Sequence, residues 1–81
     1  MGSTTYYVAM AFRRNEEGEL IALDPIEAPT PAAAVSRARS LAAKEAGAIA
    51  FSRTGDPELG EFQDAVVLVA LGDVPTDISV V

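Results

Sequence analysis

The run Thr30-Pro-Ala-Ala-Ala-Val-Ser-Arg-Ala-Arg-Ser-Leu-Ala-Ala-Lys-Glu-Ala-Gly47 decides the fold. Thr30 is a favoured N-cap, because its hydroxyl can accept from a backbone N–H that the first turn leaves without a partner. Pro31 suits the first helical position, where its preset φ helps and its missing N–H costs nothing. Gly47 can adopt the left-handed conformation that ends a helix. Between them Ala34, Val35, Ala38, Leu41, Ala42 and Ala46 recur at helical spacing and form an inward stripe. Ser36, Arg37, Ser40 and Lys44 fall on the outward side. The spacing predicts one helix of roughly 16 residues, about 24 Å long. Its buried stripe is mostly alanine, which contributes little apolar area per residue but lets the helix sit close to a sheet.

The flanking sequence reads as strands. Thr4 to Phe12 is rich in β-branched and aromatic residues and stops at the polar turn Arg13-Arg14-Asn15-Glu16-Glu17-Gly18. Glu19 to Leu23 forms a second strand, paired with the first as a hairpin and stopped at Asp24-Pro25. Ile26-Glu27-Ala28-Pro29 reads as a connector, since two prolines exclude a helix interior and a central strand. After the helix, Ala48 to Ser52 is a third strand and Phe62 to Leu71 a fourth, ended by Gly72-Asp73-Val74-Pro75. The expected class is α+β: a single ββαββ domain over residues 4–75, with one helix on one face of a small, mainly antiparallel sheet. Residues 76–81 form a C-terminal tail.

The first and fourth strands have no polar face. Tyr6, Val8, Met10 and Phe12 point one way and Tyr7, Ala9 and Ala11 the other. In the fourth strand Val67, Val69 and Leu71 oppose Val66, Leu68 and Ala70. Strands apolar on both faces are normally buried on both. One helix covers one face, so a second copy of the chain or the apolar tail is expected to cover the other. A homodimer is the leading expectation.

Composition bounds the chemistry. Eighty-one residues make one domain with a modest core. The chain has no cysteine, so no disulfide or thiolate metal cluster supports it, and no histidine, which removes the commonest general base and metal ligand. With no nucleophile motif and no cofactor loop either, the expectation is a protein that is not an enzyme and uses no cofactor. No apolar run approaches the roughly 20 residues needed to span a bilayer, and no signal-peptide pattern opens the chain. Together with the missing cysteines this points to a cytoplasmic protein with no membrane partner.

Charge is segregated. Met1 to Arg53 hold all six basic residues against six acids, whereas Thr54 to Val81 hold six acids and no base, so the formal charge of -6 belongs to the last third. Nucleic acid is disfavoured as a partner, because duplex affinity rests on phosphate neutralisation. The candidate interaction loop contains Arg53, Thr54, Asp56, Glu58, Glu61 and Asp64, and a basic protein is the partner its charge would suit. Two other readings attach to it. The four carboxylates and the loop glycines resemble a hard-cation site but do not match EF-hand spacing, so no metal is assigned. Arg53, Thr54 and Gly55 offer donors to an anion but lack the lysine and helix of a phosphate loop; pairing of Arg53 with Asp56 or Glu58 is the simpler expectation. The terminal Ser79-Val80-Val81 fits the carboxyl-terminal pattern taken by PDZ domains, on three residues of information.

The run Gly47-Ala-Ile-Ala-Phe-Ser-Arg-Thr-Gly-Asp-Pro-Glu-Leu-Gly-Glu-Phe-Gln-Asp-Ala-Val-Val-Leu68, preceded by the alanine-rich helix, resembles a family of short uncharacterised bacterial proteins. The likeness covers Tyr6 to Pro75; it implies a bacterial origin and no assigned activity. A looser likeness, to HicB-type antitoxins, rests on the hairpin turn Glu16-Glu17-Gly18, the proline-containing connector and the alanine-rich helix. Such proteins are expected to carry a third strand before the helix and often a DNA-binding tail, and neither is evident in this sequence.

Overall fold

The computed structural model describes residues 3–75. Its elements run β1 (Thr4–Arg14), β2 (Leu20–Ala22), β3 (Ile26–Ala28), α1 (Pro31–Ala42), β4 (Gly47–Asp56), β5 (Glu61–Phe62) and β6 (Val66–Gly72). The class is α+β, one helix on a curled antiparallel sheet. β1 and β4 lie side by side at its centre, in register from Thr4↔Gly55 to Phe12↔Gly47. β2 and β3 both pair with the outer side of β1, and β5 and β6 with the outer side of β4. Six strands therefore replace the expected four, because each edge is broken.

The break on the first edge falls at Leu23 to Pro25. β3 was expected to be a connector; instead it pairs with β1 through Tyr7↔Ala28, Val8↔Glu27 and Ala9↔Ile26. Pro25 and Pro29 flank these three residues without interrupting them, and an edge strand needs no donor on its outer side. The second edge carries extra residues. Three steps along β4, from Gly55 to Ser52, match four along its neighbour, from Phe62 to Val66. A further irregularity inserts Leu68 between Ala50↔Val69 and Phe51↔Val67. Such bulges add local twist and bend the edge.

The helix begins as expected, with the Thr30 hydroxyl accepting from the Ala33 N–H at 3.0 Å and Pro31 in its first turn. It stops earlier. Ala43 caps it, and Lys44 and Glu45 turn back onto the Leu41 carbonyl at 3.0 and 2.9 Å. Gly47 does not terminate the helix: it opens β4, and its φ is not positive. Glycine is needed there because a Cβ would strike the Asp73 backbone, including its carbonyl carbon at 2.6 Å. The close approach carries the Asp73 N–H to Ala46 O bond, 3.0 Å long.

The sheet has two unlike faces. Beneath α1 the buried residues are Ala9, Ala11, Ala34, Ala38, Ala48 and Ala50, with Val35, Leu41 and Val69 packed around them. The opposite face holds Met10, Phe12, Ile49 and Phe51. Both sets follow the period-2 alternation of β1 and β4. The large side chains are buried within the single chain, Ile49 at 0% and Phe12 at 2% exposed, with Val8, Leu20, Ala65 and Val74 against them. Among the described residues no polar or charged side chain is buried, and no helix is long and apolar enough to cross a membrane. The expected tail, including Ser79-Val80-Val81, lies outside the described residues.

Candidate interaction surface

The segment expected to be a loop from Arg53 to Glu61 is a hairpin. Arg53, Thr54 and Asp56 belong to β4, Glu61 belongs to β5, Glu58 sits at the tip and Asp64 lies between β5 and β6. The strand continues past Ser52 because Thr4, Thr5 and Tyr6 of β1 extend opposite Gly55, Thr54 and Arg53. Asp56 builds the tip: its carboxylate accepts the Glu58 N–H at 2.9 Å, and its carbonyl accepts those of Leu59 at 3.2 Å and Gly60 at 2.9 Å. Such local side-chain bonds are why Asp initiates turns. Gly60 closes the turn at φ 71°, a left-handed value that side chains disfavour.

Below the tip the Gln63 N–H donates to the Thr54 carbonyl at 2.8 Å, and the hydroxyls of Thr5 and Thr54 lie 2.9 Å apart. Arg53 does not pair with Asp56 or Glu58; its Nε donates to the Gln63 carbonyl at 3.4 Å. A Cβ on Gly55 would lie 2.7 Å from Cγ of Phe62, so glycine makes room for that ring. The ring leans toward Tyr6, with centroids 6.3 Å apart and planes at 43°.

The arrangement brings the acids together without cancelling them. Asp56 and Glu61 are direct cross-strand neighbours, a like-charge pairing that costs stability. Glu58, Glu61 and Asp64 are exposed. Among the described residues none of these four is in an ion pair; the two salt bridges, Arg13–Glu45 and Arg14–Asp73, involve other residues. Nor, among the described residues, do three acidic side chains converge in a way that could hold a metal ion.

The composition of the segment concealed its apolar half. Leu59 is 69% exposed and Val66 60%, with Phe62, Val67 and Leu68 also open to solvent. The exposed large apolar residues thus concentrate along the β5–β6 edge, with Ile21 of β2 apart from them, and Phe62 and Val67 lie on the sheet face away from α1. The bulge explains part of this. Cross-strand partners share a face, so Val69, opposite Ala50, lies on the helix side, while Val67, opposite Phe51, lies on the other. The uninterrupted alternation expected from Val66 to Leu71 fails at Leu68. That residue instead joins Pro31, Ala32, Val35, Ser36 and Arg39 around an open groove of about 560 Å³ between α1 and β6. No local signal in the sequence marks this run as an edge, which follows only from its pairing with β4.

Comparison with protein-family models, curated proteins and solved structures finds no match to the chain.

Proposed function

We propose that the protein is a non-enzymatic protein-interaction module whose partner-facing surface is the acidic hairpin formed by Arg53, Thr54, Asp56, Glu58, Glu61 and Asp64. The observation that carries this reading is the juxtaposition of four carboxylates, in no ion pair among the described residues, with the exposed side chains of Leu59 and Phe62. Acids alone describe a solvated turn, but acids around exposed apolar side chains supply both parts of an interface. The apolar groups contribute area, and the charges select a basic partner and speed its approach. The Asp56/Glu61 repulsion is relieved when a lysine or arginine settles between the two carboxylates.

The test is a titration with a short synthetic peptide of alternating lysine and leucine, followed by amide chemical shifts at low and high salt. Saturable shifts over residues 53–64 are expected, weaker at high salt. Replacing Asp56→Lys, Glu58→Lys and Glu61→Lys together should remove them. Equal binding by that variant, or shifts spread evenly over the sheet, would refute the hairpin as the surface.

A further inference from the structure

We infer that β6 pairs edge to edge with β6 of a second copy, in antiparallel orientation, so that one sheet runs continuously through a homodimer. This deepens the interaction-module reading and rests on it, because the dimer leaves one acidic hairpin free at each end of the seam.

No described strand pairs with the outer side of β6. Alternate residues of an edge strand direct their N–H and C=O groups outward, forming a template for a further strand. Edges that remain single are usually protected by lysine, proline or inward-pointing charge. Val66-Val67-Leu68-Val69-Ala70-Leu71-Gly72 has none of these. Exposed Val66, Val67 and Leu68 give this edge an apolar contact area that an ordinary solvated edge lacks. The groove beside Leu68 adds the apolar surfaces of Ala32 and Val35, which the same side chains of a second copy can cover.

Charge selects the orientation. Acids cluster at the start of β6, around Glu61 and Asp64, whereas its end at Gly72 adjoins Asp73, already paired with Arg14 at 3.4 Å. Parallel pairing would bring two acidic hairpins together. Antiparallel pairing sets each hairpin against the partner's ion-paired end. The hairpins then stand more than about 20 Å apart, since seven strand residues span that length. At physiological salt, where the Debye length is about 8 Å, repulsion between them is largely screened. Two copies with a charge of -6 can therefore share this edge, because little of the charge lies on it. The bulge at Leu68 is the feature that opposes pairing, since bulges also serve to blunt edges. It displaces one residue and leaves Val69 to Gly72 in regular register with β4.

The experiment is solution mass by light scattering across a concentration series, for the full chain, for Val66→Lys and Leu68→Lys, and for a chain ending at Pro75. Wild type should approach twice 8.4 kDa as concentration rises. Either lysine should return it to the monomer mass, with an unchanged circular-dichroism spectrum confirming that the variant folds. The shortened chain should dimerise like wild type. Hydrogen exchange gives an independent reading: β6 amides should lose protection on dilution while those of β1 and β4 keep theirs. A wild-type monomer at every concentration overturns the inference. So does a dimer that survives both lysines, or one that needs residues 76–81. Titrating the lysine–leucine peptide into the Val66→Lys monomer separates the two claims, since binding there upholds the hairpin reading whatever the mass of wild type.

Discussion

Arg13 holds Glu45 through two parallel bonds, Nε to Oε1 at 2.9 Å and Nη2 to Oε2 at 2.8 Å. The contact ties the end of β1 to the turn that leaves α1, where Glu45 points back to the sheet. The bond to Arg13 is the main cause holding the Glu45 carboxyl below its ordinary pKa, with smaller help from the Arg13 charge and Lys44 against a desolvation cost. A carboxyl depressed in the folded state stabilises the fold above its unfolded pKa of about 4.3, and the contribution disappears as pH falls through the lower folded value. Arg13 stays charged throughout, its own pKa being raised by the same pair. Glu45→Gln should therefore lower the Tm slightly at pH 7 and make little difference at pH 2, measured by thermal melts of both proteins across that range. The difference at pH 7 should also shrink in high salt, because the Arg13 side chain is 61% exposed.

Thr30→Ala should cost about 1 kcal/mol, because the Ala33 N–H loses its side-chain acceptor. Thr30→Asp should recover most of the loss, since a carboxylate fills the same role and favours a helix N-terminus. Urea titrations decide this; an alanine variant as stable as the parent would mean that Pro31 and packing alone hold the first turn.

Gly47→Ala should destabilise by about 1–3 kcal/mol, the usual range for forcing extra volume into a packed site. The added methyl meets backbone, not a flexible side chain, so the Gly72–Asp73 end of β6 must move away. In hydrogen exchange, the Asp73 amide should lose protection before those of β1. An alanine variant of undiminished stability would show that the Asp73 backbone yields without cost, and that close approach is not why glycine stands at this position.

Local signals and the β1–β2 hairpin were legible in the sequence; the rest of the pairing was not. Thr30-Pro31 announced the helix start, and the alternation of β1 correctly divided Met10 and Phe12 from Ala9 and Ala11. Three residues between prolines carry no local sign of being β3, which exists because β1 offers it an edge. The bulge at Leu68 is equally invisible, since it arises from register against β4 and leaves the sequence of β6 an even apolar run. At the candidate surface the carboxylates could be read directly. The exposure of Leu59, Phe62 and Val66 could not, because it depends on β5 and β6 lying at the sheet's margin.

The two sheet faces should fail in opposite ways. Under α1, alanine meets alanine and Ala38 is fully buried, so Ala38→Leu has no space to enter without lifting the helix; it should cost about 1–3 kcal/mol. On the other face Ile49 is also fully buried but is among the largest side chains there, so enlargement is not its hazard. Ile49→Ala should cost about 2–5 kcal/mol through lost transfer energy and the cavity left beside Met10, Phe12 and Phe51. Exposed Arg37→Ala supplies the reference and should stay within about 0.5 kcal/mol. Denaturant midpoints of the three variants test the asymmetry. If Ala38→Leu proved neutral or stabilising, the helix would have room to move on its alanine bed, and close approach could not be the reason those positions are small.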